Sequence, residues 1–407
     1  MQVLFISDSF PLNVTRSIHG IFKRMELFLH ALTDHATLNM FFFVPAKFDI
    51  TPSIVEKYRV EISKSWKISC QLKLFPKADI YENQNKWSEY GAGIFDFFKQ
   101  SAYFATSGRA QVEALIDSLS EDPDIIFVHR LNSFCPLLKI KEKLPPIYFD
   151  LDDIEHKKFF RDLNQPPKWM AKNLLYLHIP ALLWGEHKAI RLSECTFVCS
   201  EQDKRYLEKI CRRNSIVAIP NAVRIPNGVK VPNDQTVLFL GDYWYKPNAN
   251  AAEYIIENIW PAIQSEIPEA KLILAGKNPQ YIKYYKSDLS KVEFTGFINE
   301  LDSLYNRTRV VCTPIFSGGG TRFKILEAAA YGKSIVSTSI GVEGIGMVNE
   351  KHFIMRNNAR SMADACIRLL KDYKLCEQIG REARKLVANN YQKDKIVQLI
   401  KKIFPLV

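Results

Sequence analysis

The sequence predicts an α/β protein of two domains, and three observations predict it. Short apolar runs rich in Val, Ile, Leu and Phe alternate with helical patterns along most of the chain. A Pro- and Asn-dense stretch interrupts that alternation once, after which it restarts. The length of 407 residues exceeds what one hydrophobic core usually supports. Alternation of this kind argues for parallel sheets flanked by helices, and 47% apolar with 12% aromatic residues supplies two cores.

In the first domain, residues 1–217, Val3-Leu-Phe-Ile6 reads as a strand, Arg16 to Thr33 as a helix and Leu38-Asn-Met-Phe-Phe-Phe-Val44 as the next strand. The region from about 50 to 110 follows no clear period. Ile125-Ile-Phe-Val128, Pro146-Ile-Tyr-Phe149 and Thr196-Phe-Val-Cys199 read as later strands, the last leading into a helix from Glu201 to Cys211. Residues 218–235 hold three Pro-Asn pairs and form the interdomain linker. The second domain, 236–390, opens with Val237-Leu-Phe-Leu-Gly241, continues as a helix over Asn248 to Gln264, and adds strands at Lys271-Leu-Ile-Leu-Ala-Gly276, Val292-Glu-Phe-Thr-Gly296 and Arg309 to Thr313. Helical spacing resumes from Arg360 to Phe404, and residues 391–407 are expected as a C-terminal helix packing back towards the N-terminal domain.

One segment carries chemistry. The apolar run Val310-Val-Cys-Thr-Pro314 ends in Ser317-Gly-Gly-Gly320, and a helix is expected from near Thr321. Missing side chains let backbone N–H groups approach a ligand, and the positive helix terminus favours an anion there. Arg322 and Lys324 add charge in the first turn, and Glu327 lies one turn on, within reach of hydroxyls on whatever carries the anion. A nucleoside diphosphate with its ribose fits this set. Tyr331-Gly-Lys-Ser334 resembles the tail of a P-loop, but Glu327 stands where that motif needs glycine and the segment follows a helix instead of a strand.

From Ser317 to Thr338, followed by Gly341-Val-Glu-Gly344, the segment resembles the donor-binding signature of family 4 glycosyltransferases. The resemblance implies two Rossmann-like domains facing a cleft (GT-B), a retaining reaction, and a UDP- or GDP-linked sugar donor with no metal or other cofactor. It extends over nearly the whole chain, since Ile219-Pro-Asn-Ala-Val223 is similar to the family's linker and Phe239-Leu-Gly241 with Lys246-Pro-Asn248 to the first turn of its donor domain. On the donor side it implies Gly318, Gly319, Gly320, Thr321, Glu327, Lys246, Gly241 and Phe297; among catalytic residues Arg322, Lys324 and His129; on the acceptor and sugar side Gly20 and Asp150. Of the family's paired glutamates eight positions apart, Glu327 matches the ribose-holding second, and Gly319 replaces the first. Asp242 stands where many members carry arginine, which leaves Lys246 as that turn's cation.

The rest of the sequence bounds the reading. Net charge is +11, yet residues 1–220 hold 29 Lys/Arg against 26 Asp/Glu, so most of the excess lies in the second half. No helix-turn-helix, zinc finger or RNP aromatic pattern accompanies it, and nucleic acid is not expected as a partner. A nucleotide sugar, a carbohydrate or lipid-linked acceptor and peripheral contact with an anionic membrane are the expected partners. The eight cysteines are scattered in apolar runs and read as reduced thiols; with no basic leader before the first strand and no long apolar span, a cytoplasmic location at the inner membrane face is expected. Two alternatives stay open. Asp150-Leu-Asp152 resembles a metal-binding pair or the nucleophile motif of Mg-dependent phosphatases, against carboxylates that merely cap the next helix. Loss of the first glutamate also suits a non-catalytic protein that binds nucleotide sugars.

Overall fold

The computed structural model describes residues 1–14, 20–33, 36–79, 86–165, 170–212, 215–228 and 230–404. Met1–Pro220 and Val397–Val407 form one compact unit, and Asn221–Ile396 form the other.

Unit 1 is built on β1 (Gln2–Ser7), β2 (Thr37–Val44), β3 (Cys70–Pro76), β4 (Ile125–His129), β5 (Ile147–Asp152), β6 (Cys195–Val198) and β7 (Ile216–Ala218). All pair in parallel in the order β3-β2-β1-β4-β5-β6-β7. β4, β5 and β6 are buried at every position, which is why apolar residues dominate them even where His129, Asp150 and Asp152 stand at their carboxyl ends. The stretch without a clear period resolves into a helix Pro52–Trp66, the edge strand β3 and helices Lys86–Phe95 and Arg109–Leu119. β3 alternates Lys and Gln with Leu and Phe, and the helix Pro52–Trp66 buries only Ile62 and Trp66, so neither gives a strong apolar signal. The expected start of the first helix at Arg16 lies outside the described residues, which show it as Gly20–Leu32. Phe404 packs on Tyr148 at 4.8 Å and closes an aromatic cluster with Phe127 and Phe197.

Unit 2 carries β8 (Thr236–Leu240), β9 (Lys271–Ala275), β10 (Val292–Gly296), β11 (Val310–Thr313), β12 (Ser334–Ser337) and β13 (Ile354–Met355). These also pair in parallel, in the order β10-β9-β8-β11-β12-β13. After β8 the chain stays helical from Lys246 to Glu266, with a π turn at Ile255–Ile259 ahead of Pro261, whose missing N–H cannot continue the ladder. In both units the chain leaves the central strand pair in opposite directions, β1 to β2 against β4 to β5 and β8 to β9 against β11 to β12. The carboxyl ends at such a switch point are where open α/β sheets bind ligands.

Candidate active site

The glycine loop of unit 2 sits at its switch point, directly after β11. Gly318 and Gly320 take φ of +101° and +60°, a region that side chains make costly, and a Cβ on Gly318 would stand 3.0 Å from the Tyr245 hydroxyl. The helix starts two residues later than expected, at Phe323, with Arg322 as its N-cap. Arg322 therefore does not project from the first turn. Its Nη1 donates to the carbonyl oxygens of Gly319, at 2.7 Å, and of Gly320, so it braces the loop from within. Buried Thr321 is tied at the loop's end by Asn221, whose Nδ2 donates to Thr321 Oγ1 at 2.8 Å.

Lys324 is the partly buried cation of this site. Its Nζ donates to Asn248 Oδ1 at 2.7 Å and lies 4.4 Å from the centre of the Phe239 ring. Burial pulls its pKa down to about 7, and the neighbouring charge of Arg322 adds to the fall while Glu327 opposes it. Asn248 is held in turn by donating Nδ2 to the Asp242 carbonyl at 2.8 Å. That approach requires Gly241, where a Cβ would lie 2.9 Å from the Asn248 amide carbon. Buried Glu327 follows Lys324 by three residues on the same helix, so the two share a face. Lys246 begins the helix after β8 and is exposed. Phe297 follows β10, with Lys277 Nζ 4.9 Å over its ring.

In unit 1 the switch-point residues are held by other side chains. His129 ends β4 fully buried, its Nδ1 3.0 Å from Ser7 Oγ. Ser7 Oγ also accepts the Ser9 N–H, so donating its own proton to Nδ1 satisfies all three groups and leaves the ring proton on Nε2. That Nε2 is buried without a hydrogen-bond partner. Burial, reinforced by Arg130, lowers the ring pKa to about 3, so the imidazole is neutral at physiological pH. Gly20 is the first residue of the helix Gly20–Leu32.

Asp150 is placed differently from its expected acceptor-side role. It is fully buried and gripped by Arg24, whose Nη2 and Nε donate to its carboxylate at 2.6 and 3.0 Å, while Nη1 donates to the Ile219 carbonyl at 2.8 Å. Burial raises the Asp150 pKa to about 6 against the pull of Arg24. Asp152, at φ +60°, lies 3.4 Å from Arg24 Nε and accepts from Cys199 Sγ at 3.1 Å. Neither carboxylate caps a helix: the next one, Glu155–Asn164, has Ile154 at its N-cap. Among the described residues no group of three or more His, Cys, Asp or Glu is arranged to hold a metal ion. The pair is thus an internal ion-pair anchor, not the open carboxylate site that a phosphatase needs.

Residues 234–372, which include the glycine loop, Lys324, Glu327 and Asn248, match the family described as glycosyl transferases group 1. This unit is a group 1 glycosyltransferase domain. The chain shares 26% identity over 172 residues with an uncharacterized 44.6 kDa protein in the cps region of Klebsiella pneumoniae, covering 40% of the chain and 44% of that relative. It therefore aligns with less than half of the relative's length. Among solved structures, the chain is similar over 99% of its length to sucrose-phosphate synthase from Thermosynechococcus elongatus, covering 98% of that chain at 14% identity and a TM-score of 0.67. It is also similar over 99% to Anabaena HepE in complex with UDP and glucose, covering 99% of that chain at 14% identity and a TM-score of 0.62. At such identities the likeness is one of fold, and that fold is GT-B, two parallel-sheet α/β domains.

Sequence reasoning missed Arg24, Asn221 and Asn248. Arg24 had a legible signal: a charge at the head of the apolar spacing Arg24, Phe28, Ala31 on a helix. Asn248 lies in the Lys246-Pro-Asn248 turn, but its pairing with Lys324, 76 residues away, has no local signal.

Proposed function

We propose that the protein is a retaining glycosyltransferase that needs no metal and moves a hexosyl unit from a UDP- or GDP-linked donor to a hydroxyl of a carbohydrate or lipid-linked acceptor. The observation that carries this reading is the glycine loop at the switch point of a group 1 domain, with Lys324 and Glu327 on one face of the helix that follows it. HepE, similar in fold, is described with UDP and glucose bound, which supports a nucleotide-sugar donor.

In this reading the loop amides and Lys324 receive the diphosphate, and Glu327 accepts hydrogen bonds from the ribose hydroxyls. The bond from the anomeric carbon to the diphosphate oxygen breaks, the acceptor oxygen bonds to the same face of that carbon, and the acceptor proton passes to the departing phosphate. His129, with an unmet Nε2–H, donates to a sugar hydroxyl. Synthesis of surface polysaccharide or a related glycoconjugate, at the cytoplasmic face of the membrane, follows from the family resemblance and from the relative's position in a cps region.

A thermal-shift screen with UDP, GDP, ADP and their sugar conjugates, run in chelator, tests the donor site. A rise in Tm with one base, reduced by Glu327→Ala, is expected; no response to any of them sinks the proposal. Nucleotide binding without transfer across a broad acceptor panel would instead favour a binding protein.

A further inference from the structure

We propose that unit 1 carries a docking face for an anionic phospholipid bilayer, built on the outer side of the helical stretch 170–192 between β5 and β6. The helix Ile179–Leu192 is seated by its opposite side, where Ala181, Leu182, Gly185, Glu186, Ala189 and Ile190 are buried. Gly185 lies so near Phe97 that a Cβ there would stand 2.6 Å from the ring. This close seating fixes which side chains face out.

Large apolar side chains are prominent among them. Leu177 and Trp184 are 49% and 48% exposed, and Met170, Leu174 and Leu192 join them. Leu177, Trp184, Lys188 and Arg191 follow one another at helical steps of seven, four and three, so they share a stripe. Exposed Phe160 extends the surface from the neighbouring helix, its ring 5.9 Å from that of Tyr176. Scattered single exposures need no explanation, but a contiguous run does.

Charge identifies the occupant. From Met170 to Leu192 the cations are Lys172, Lys188 and Arg191, against Glu186 as the one carboxylate. Glu186 is 1% exposed and turned inward, where it accepts from the Glu155 amide and pairs with His156. The outward side of this stretch thus presents cations and no carboxylate. Lys188 lays its ammonium 3.9 Å over the Trp184 ring, an aromatic body with a cation at its edge, which suits the headgroup level of a bilayer. Among the described residues no helix is long and apolar enough to cross a membrane, so the contact proposed is interfacial. The excess charge of the second half of the sequence plays no part in it. The inference deepens the proposed function by giving a lipid-linked acceptor a surface to lie on.

Cosedimentation of the full chain with vesicles tests it, using phosphatidylcholine alone and phosphatidylcholine mixed with phosphatidylglycerol. Pelleting is expected with the mixed vesicles, weakening as salt rises. Leu177→Ser with Trp184→Ser, and separately Lys188→Glu with Arg191→Glu, should each cut vesicle affinity at least about tenfold. Trp244→Ser, which removes an exposed tryptophan of unit 2, should leave it unchanged. Absence of pelleting, or pelleting that ignores lipid charge and both double variants, overturns the proposal. So does a concentration-dependent dimer that dissolves in the Leu177→Ser/Trp184→Ser variant, which would give the face to a second copy of the chain. The nucleotide thermal shift, measured on the same variants, separates loss of this face from failure of the donor site.

Discussion

At the end of β5 in unit 1 the guanidinium of Arg24 fills the edge of the sheet, whereas at the ends of β8, β9 and β10 in unit 2 three glycines stand at the equivalent edge. Arg24 binds Asp150, Ser7 binds His129, and Lys77 holds Asp8 at 3.2 Å, so the first switch point is fixed by paired side chains. In the second, Gly241, Gly276 and Gly296 line the strand ends, and a Cβ on Gly276, at φ +135°, would stand 1.7 Å from the Gly241 carbonyl oxygen. The same strand order supports both solutions. A buried ion pair makes a rigid edge that resists rearrangement, while glycines let backbone and the Asn248 amide pack closely where side chains would collide.

The largest expected effect comes from breaking the rigid edge. Arg24→Ala strands the Asp150 carboxylate in the core, and removing one partner of such a pair costs about 3 to 5 kcal/mol of stability, read by urea unfolding. Arg24→Ala/Asp150→Asn, which removes the buried charge as well, should recover part of it; equal loss in both variants would show that packing, not charge, is what matters.

Filling the glycine edge comes next. Gly276→Ala forces the backbones of β8 and β9 apart and should cost about 3 kcal/mol, with nucleotide binding weakened in whatever fraction still folds. Unchanged stability and binding would mean that the glycine edge tolerates a side chain, and the contrast between the units would fail.

Smaller effects sharpen the contrast. Glu327→Ala and Asn248→Ala should each weaken nucleotide binding by about tenfold, since each removes about one charged hydrogen bond, and isothermal titration measures both. Asn248→Ala should act through Lys324, so its loss should shrink in a Lys324→Met background.

The smallest is a pH effect with a definite sign. The folded pKa of Lys324, about 7, lies below the unfolded lysine value, so from about pH 7 up to that value the unfolded chain binds more protons. The stability of the nucleotide-free protein therefore gains from this group as pH rises through that window. A bound diphosphate favours the ammonium, so nucleotide affinity should fall a few-fold from about pH 6 to pH 8, with proton uptake on binding above about pH 7. Lys324→Arg should flatten this dependence; a wild-type affinity independent of pH would remove Lys324 from the diphosphate site.

The legible parts of the site are those whose signal is local. The glycine loop, the start of the helix after it and Glu327 lie within eleven consecutive residues, Ser317 to Glu327, and their spacing alone brings them close together. His129 was legible because a strand end is recognisable from the apolar run before it. Asp150 was misplaced because Asp-x-Asp looks alike whether it faces solvent or an arginine 126 residues earlier. Arg322 stands one residue ahead of the helix instead of in its first turn, and chain position shows a charge but not whether it turns back on its own loop.

Two alternating α/β units, their break near the Pro-Asn linker and the glycine loop ahead of a helix were determined by sequence alone, since hydrophobic period and glycine spacing act over a few residues. The order of the strands, the pairing of Arg24 with Asp150, the seating of Lys324 on Asn248 and the outward turn of Trp184 were decided only by tertiary structure. Each of these depends on which distant groups share a desolvated space, and no local pattern encodes that.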